Sequence, residues 1–198
     1  MSKTAVYDGC VTSSPTQAAS ISGGTWTIDP NHSLIEFAAK HFDIAYVKGR
    51  FRKFSGTVNV NEQDLLRSTV ELTIDAASVE SQAVQMREDL IRGEEMLEAE
   101  KYPTITFKST RIQQKGGNQF VVSGDLTMRG ITRPVELPLE FGGLVSTRMG
   151  MRAGFSGYLT INKGDFNVPF TREFEPGRKV VGDEIKVELQ IELAPQQS

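Results

Sequence analysis

Seven or eight segments of the chain alternate apolar and polar residues with a period of two. In the clearest, Ile185, Val187, Leu189, Ile191 and Leu193 interleave with Lys186, Glu188, Gln190 and Glu192. Successive side chains of a strand point to opposite faces, so such a segment has one dry face and one wet face. A short chain dominated by them predicts one antiparallel sheet around an enclosed interior.

The first strand signal is Trp26 and Ile28, followed by the turn Asp29-Pro30-Asn31. Ile35, Phe37 and Ala39 form the dry face of the next strand. A longer strand runs from about Tyr46 to Val60, and its phase slips between Phe51 and Phe54, which predicts a bulge. Val70, Leu72 and Ile74 mark another strand. Between residues 82 and 100 the spacing becomes helical, with Ser81 as a cap, Gly93 as a stop and Pro103 ending the excursion. Strands resume at Ile105 and Phe107, and Lys115-Gly116-Gly117-Asn118 is a hairpin turn. Phe120, Val122, Leu126 and Met128 share a face; after Gly130, Ile131, Val135, Leu137, Leu139 and Phe141 share the next. Pro134 and Pro138 fall on the polar side and predict a lightly paired stretch. Phe155, Leu159 and Ile161 follow, and residues 162–182 read as a long loop. The domain reading is a flexible arm over 1–24, a barrel over 25–194 and a tail over 195–198.

Gly56, Gly124 and Gly157 each sit between two apolar residues of one face. Two compatible readings apply. The glycines let strands coil, and they leave interior space where a packed core would place side chains. A barrel of about eight strands is near the size that either fills or holds one small ligand.

From Trp26 onward the chain resembles the YceI-like family of lipocalin-like lipid-binding proteins. The resemblance rests on Trp26-Thr27-Ile28-Asp29-Pro30-Asn31-His32-Ser33, Gly49-Arg50-Phe51-Arg52-Lys53-Phe54-Ser55-Gly56 and Tyr102-Pro103-Thr104-Ile105-Thr106-Phe107-Lys108-Ser109. It continues through Leu126-Thr127-Met128-Arg129-Gly130-Ile131-Thr132, Ile161-Asn162-Lys163-Gly164-Asp165-Phe166 and Val181-Gly182-Asp183-Glu184-Ile185. It implies an all-β fold, an extended eight-stranded antiparallel barrel with a short helical insertion, and binding of a long-chain isoprenoid lipid in the tunnel. The helical piece Met86-Arg87-Glu88-Asp89-Leu90-Ile91-Arg92-Gly93 fits the pattern, but Glu95-Met96-Leu97 stands where the family carries paired aromatics. That departure implies a different shape at one end of the cavity.

The net charge of −3 disfavours a nucleic-acid partner. Lys48, Arg50, Arg52 and Lys53 form a local basic group, read as a solvated face or as a rim for an anionic head. Cys10 is the sole cysteine, so an internal disulfide is excluded. No apolar run suits a signal peptide or a membrane span, and the expected address is the cytoplasm without stable membrane insertion. A homodimer is compatible with such a barrel.

Enzyme chemistry finds no constellation. His32 and His41 are the only histidines, and neither a metal-ligand spacing nor a nucleophile elbow is present. His32, beside Asp29, reads as a structural hydrogen-bonding group. His41 has interior parity and suits a polar contact at the mouth; with Arg50 it is the one place for an enzyme reading. No cofactor or metal is expected. The candidate ligand-binding set is Ile35, Phe37, Ala39, His41, Phe51, Leu72, Ile74, Met86, Leu90, Phe107, Phe120, Val122, Met128, Phe141, Phe155 and Ile161. Met86 and Leu90, one helical turn apart, form a lid in this reading. Ordinary core packing is the competing reading for most of the set. The alternative function is a packed barrel serving as a stress-related structural or interaction module without a lipid.

Overall fold

The computed structural model describes residues 21–81 and 85–196. Eight antiparallel staves form a closed meander in which each stave pairs with its sequence neighbours. The first stave is β1 (Gly24–Ile28) followed by β2 (Leu34–His41), and the second is β3 (Ala45–Phe51) followed by β4 (Phe54–Val60). The third is β5 (Thr69–Asp75) with the short β6 (Val79–Glu80). Then come β7 (Thr104–Gly116), β8 (Gln119–Met128), β9 (Ile131–Thr147) and β10 (Gly150–Asn162). After a small hairpin, β11 (Glu173–Glu175) and β12 (Arg178–Lys179), the last stave is β13 (Val181–Pro195). It returns to the first, pairing with β1 at Trp26↔Pro195 through Ile28↔Leu193 and with β2 at Ile185↔Ala39 through Gln190↔Leu34. The family-like all-β, eight-stranded barrel is therefore the observed fold.

The expected irregularity between Phe51 and Phe54 is a full break between β3 and β4. The freed backbone is satisfied locally: Arg52 N–H donates to the Ser78 carbonyl and Lys53 N–H to Ser78 Oγ. Pro134 and Pro138 fall where β9 pairs with β8 alone, as a lightly paired segment requires. The β8–β9 turn centres on Arg129 and Gly130, with φ of 51° and 71°, the left-handed pair that a two-residue primed hairpin needs.

Because staves alternate in direction, connections alternate between ends. One end carries only the turns around 61–68, 117–118 and 148–149, the start of β1 and the end of β13. It is packed shut by Trp26, Val60, Ala153 and Leu193, with Phe141 and Phe155 against them. Trp26 is 1% exposed, and its indole N–H donates to the Ser22 carbonyl. Chain order therefore extends below the expected boundary at 25; the rest of the expected arm, residues 1–20, lies outside the described residues. The opposite end carries the long connections, 81–103 and 163–180.

Two expectations for those connections need correction. The helix α1 spans Gln85–Arg92 and stops before Gly93 as expected, but Ser81 does not cap it with its hydroxyl. Ser81 is fully buried, its Oγ donates to the Lys48 carbonyl, and its N–H is taken by the Glu88 carboxylate. Residues 162–182 are not a bare loop. They hold a 3-10 turn over Lys163–Phe166, the β11–β12 hairpin and the buried residues Phe166, Val168 and Phe170. Gly, Pro and charge are frequent there, yet the alternation of those three apolar residues is what anchors the segment.

The glycine reading divides. The inward faces of Gly56, Gly124 and Gly157 are occupied by neighbours: Ile28 lies over the first, the Phe107 ring over the second and Leu139 over the third. Their missing side chains let large groups lie flat against the wall, and they do not themselves leave vacancies. A Cβ on Gly124 would stand 2.5 Å from Phe107 Cζ and 2.6 Å from the Lys108 carbonyl oxygen. Gly124→Ala is therefore expected to cost about 1–3 kcal/mol in urea unfolding. Gly154→Ala, where nothing lies within 4 Å, should stay within about 0.5 kcal/mol of the parent.

Candidate ligand-binding cavity

Above the Trp26 plug the inward faces of the staves do not meet. They enclose a cavity of about 280 Å³. Its wall is mostly apolar, with Glu36, Lys40, His41, Arg87 and Lys163 as polar members: Ile35, Phe37 and Ala39 come from β2, Phe51 from β3, Leu72 and Ile74 from β5, and Ile105 and Phe107 from β7. The wall continues with Leu126 and Met128 from β8, Val135 and Leu137 from β9, Leu159 and Ile161 from β10, and Ile185, Val187 and Leu189 from β13. Leu90 and Ile91 of α1, then Met96 and Leu97, cover one side of the open end; Val168, Phe170 and Val180 cover the other.

Two polar clamps hold these covers. Arg129, its side chain 11% exposed, donates to the Glu94 and Met96 carbonyls and pairs with Glu98 at 3.0 Å. That ties the turns after α1 to the β8–β9 hairpin. Asp183 accepts from Lys163 at 2.6 Å and from Lys179, so it binds both ends of the second cover to the start of β13. The two ammonium groups hold the Asp183 carboxyl below its usual range. Lys163 is 3% exposed, and its pairing satisfies the one buried cation in the cavity lining.

Of the sequence-derived set, Ile35, Phe37, Ala39, His41, Phe51, Leu72, Ile74, Leu90, Phe107, Met128 and Ile161 line the cavity. Five do not. Phe141 and Phe155 point inward but pack 5.1 Å apart in the Trp26 plug, below the cavity floor. Phe120, beside the β7–β8 turn, lies outside the lining at that same end, and Val122 is 3% exposed without reaching the cavity. Met86 is 79% exposed and forms no lid. Arg92 fixes the roll of α1 by donating to the Ala77 and Val79 carbonyls while Glu88 pairs with it. The inward stripe is consequently Arg87, Leu90 and Ile91, one step round from Met86.

Arg50 and Arg52 pair with Glu80 at 2.6 and 3.0 Å, and none of the four basic residues from 48 to 53 enters the lining. Arg50 and Arg52 thereby form a solvated latch onto Glu80 of β6, and the group is not a rim of the cavity. Met96 and Leu97, where the family pattern was broken, do line the cavity, so that departure shapes its open end. The sequence reading also missed Lys163, Val168 and Phe170, because the surrounding Gly, Pro and charge masked them.

The model of the YceI-like domain matches residues 26–193. The chain belongs to the YceI-like family. Among relatives, the UPF0312 protein of Vibrio parahaemolyticus is 36% identical over 139 residues, covering 70% of this chain and 73% of the relative. BcnA of Burkholderia cenocepacia superposes with a TM-score of 0.73 at 27% identity, covering 83% of this chain and 98% of BcnA. A polyisoprenoid binding domain from Saccharophagus degradans, implicated in plant cell wall breakdown, shares the fold, with a TM-score of 0.66 at 17% identity. That match covers 86% of this YceI-like chain and 98% of the Saccharophagus domain.

His32 belongs to the wall and not to the cavity. Its Nδ1 lies 3.0 Å from Asp29 Oδ2 and 3.9 Å from Glu192 Oε1. Arg152 Nε sits 3.1 Å from the same Glu192 oxygen. The three ligand-type side chains cluster closely, and one of them, Glu192, is paired with Arg152. The group is an ion-paired knot across the closing seam of the barrel. Its hydrogen bond to Asp29 raises His32 above the ordinary 6.5 and holds Asp29 below 3.8. The raised histidine contributes stability that is full below 6.5 and fades as pH climbs through its folded value. The lowered aspartate contributes above 3.8, and its share is lost as pH falls. An NMR titration should place the His32 midpoint above 6.5, and Asp29→Asn should move it down.

Proposed function

We propose that this chain binds a long-chain isoprenoid lipid, a polyprenyl compound or an isoprenoid quinone, and sequesters or carries it without chemical conversion. The observation that carries this reading is the apolar cavity walled by all eight staves, with the Trp26 cluster packing the end beyond its floor. Such a site recognises hydrocarbon through area removed from water, at about 25 cal/mol per Å². Each added methylene contributes about 0.8 kcal/mol, roughly fourfold in affinity. The Saccharophagus relative, described as a polyisoprenoid binding domain, supports the same ligand class.

Two competing readings have less support. A packed barrel would fill the space that is open here. An enzyme would need convergent polar groups inside; of the charged side chains among the described lining residues, Lys163 alone is fully buried, and it is paired to Asp183.

Organic extraction of the purified protein followed by mass spectrometry should release an isoprenoid lipid. Val187 lines the middle of the wall. Val187→Trp should fill the cavity and weaken polyprenol binding by about tenfold or more, about 1.4 kcal/mol. Tyr158→Ala, at an outward position 74% exposed, should leave binding unchanged. Equal binding by both variants counts against an interior site.

A further inference from the structure

At the covered end the backbone ladder of the barrel is interrupted on one side. The β9–β10 ladder stops at Leu139↔Gly157. Beyond it, Tyr158–Asn162 pairs with β13 alone and Ile131–Pro138 with β8 alone. The gap coincides with the two prolines. The Pro138 carbonyl lies against Gly157 of β10, so the peptide edge at 138 faces β10. Peptide groups alternate sides along a strand, which puts Pro134 on that same edge. Proline has no N–H, so on that edge Pro134 and Pro138 supply no donors to continue the ladder and only Glu136 between them could.

Outside this gap lies a groove of about 210 Å³, bordered by Arg133, Glu136, Thr160, Asn162 and Asp165. Val135, Leu159 and Ile161 line both the groove and the main cavity. A thin apolar partition therefore separates the two spaces, with Phe166 of the 3-10 turn, 1% exposed, filling the gap beside it. Arg133 makes no ion pair among the described residues, and its one side-chain hydrogen bond reaches only the adjacent Thr132 carbonyl, at 3.4 Å.

The main cavity, about 280 Å³, is just under the small end of ligand sites, roughly 300 Å³. A chain of many isoprene units outgrows it. We propose that the β9–β10 seam is a lateral portal: the tail of a long amphiphile fills the cavity, the remaining chain passes between the unpaired strands, and the polar end rests in the outer groove. This rests on the isoprenoid reading above and adds a second subsite and a route to it.

Continuing the register from Leu139↔Gly157 sets Glu136 opposite Thr160, both exposed. With the native thiol removed by Cys10→Ser, the pair Glu136→Cys and Thr160→Cys would staple the seam when oxidised. Thr160→Trp, a single change at an exposed position, covers the groove if the disulfide does not close. Farnesol and the much longer solanesol would be offered in phosphatidylcholine vesicles, and the re-isolated protein extracted and quantified. The reduced cysteine protein should take up both. The oxidised form and Thr160→Trp should keep farnesol and lose solanesol by about tenfold. Unchanged solanesol uptake by both blocked forms would overturn the portal. Failure of the reduced protein to bind either alcohol would overturn the isoprenoid reading beneath it.

Discussion

The short ladder between the first and last staves is the constraint on which the rest depends. Trp26 to Ile28 pairs with Leu193 to Pro195 and Leu34 to Ala39 with Ile185 to Gln190, and the sheet becomes a ring. Closure removes the free edges that an open sheet would present. It also forces every inward residue to face the same axis. The Asp29–His32–Glu192–Arg152 knot sits on this seam, and Asp29 N–H donates to the Glu192 carbonyl there. Polar groups thereby reinforce the place where the first and last staves meet.

Once the ring is closed, connection length decides which end is packed and which is hollow. Tight turns leave one end narrow enough for Trp26 and its neighbours to fill. The insertions at the other end arch over the opening instead of entering it. Arg129 and Asp183 hold those arches through hydrogen bonds to backbone and to opposite charge. Each is half-buried or better, so pairing matters more there than on the open surface. An apolar hollow held open in this way gains nothing from water, since its wall supplies almost no hydrogen bonds. A hydrocarbon is the occupant that its chemistry favours.

The wall is built so that bulk does not close the hollow. Phe37 lies across Gly49, Phe107 across Gly124 and Leu139 across Gly157. A large side chain that lies along the wall contributes contact area without crossing the lumen. The same device lets neighbouring backbones approach closely, which bends the sheet. Where β9 and β10 separate, the apolar residues of both still face inward, so the wall remains greasy while its backbone ladder is interrupted.

The face of each strand was legible in the sequence, because the period of two is local. Ile35, Phe37, Leu72, Ile74 and Ile161 were therefore placed in the wall without coordinates. Height along the barrel axis is not local; it depends on stagger between staves. That is why Phe141 and Phe155, with the correct parity, belong to the plug. Helix roll is likewise set by partners: Arg92 reaching back to Ala77 and Val79 turned Met86 outward. The alternating sequence by itself determined an antiparallel sheet with one dry face, since each side chain's direction follows from its own backbone. Only the tertiary structure decided where that face is packed, where it is hollow and where the wall parts, because those outcomes require strands distant in sequence to meet at a particular register.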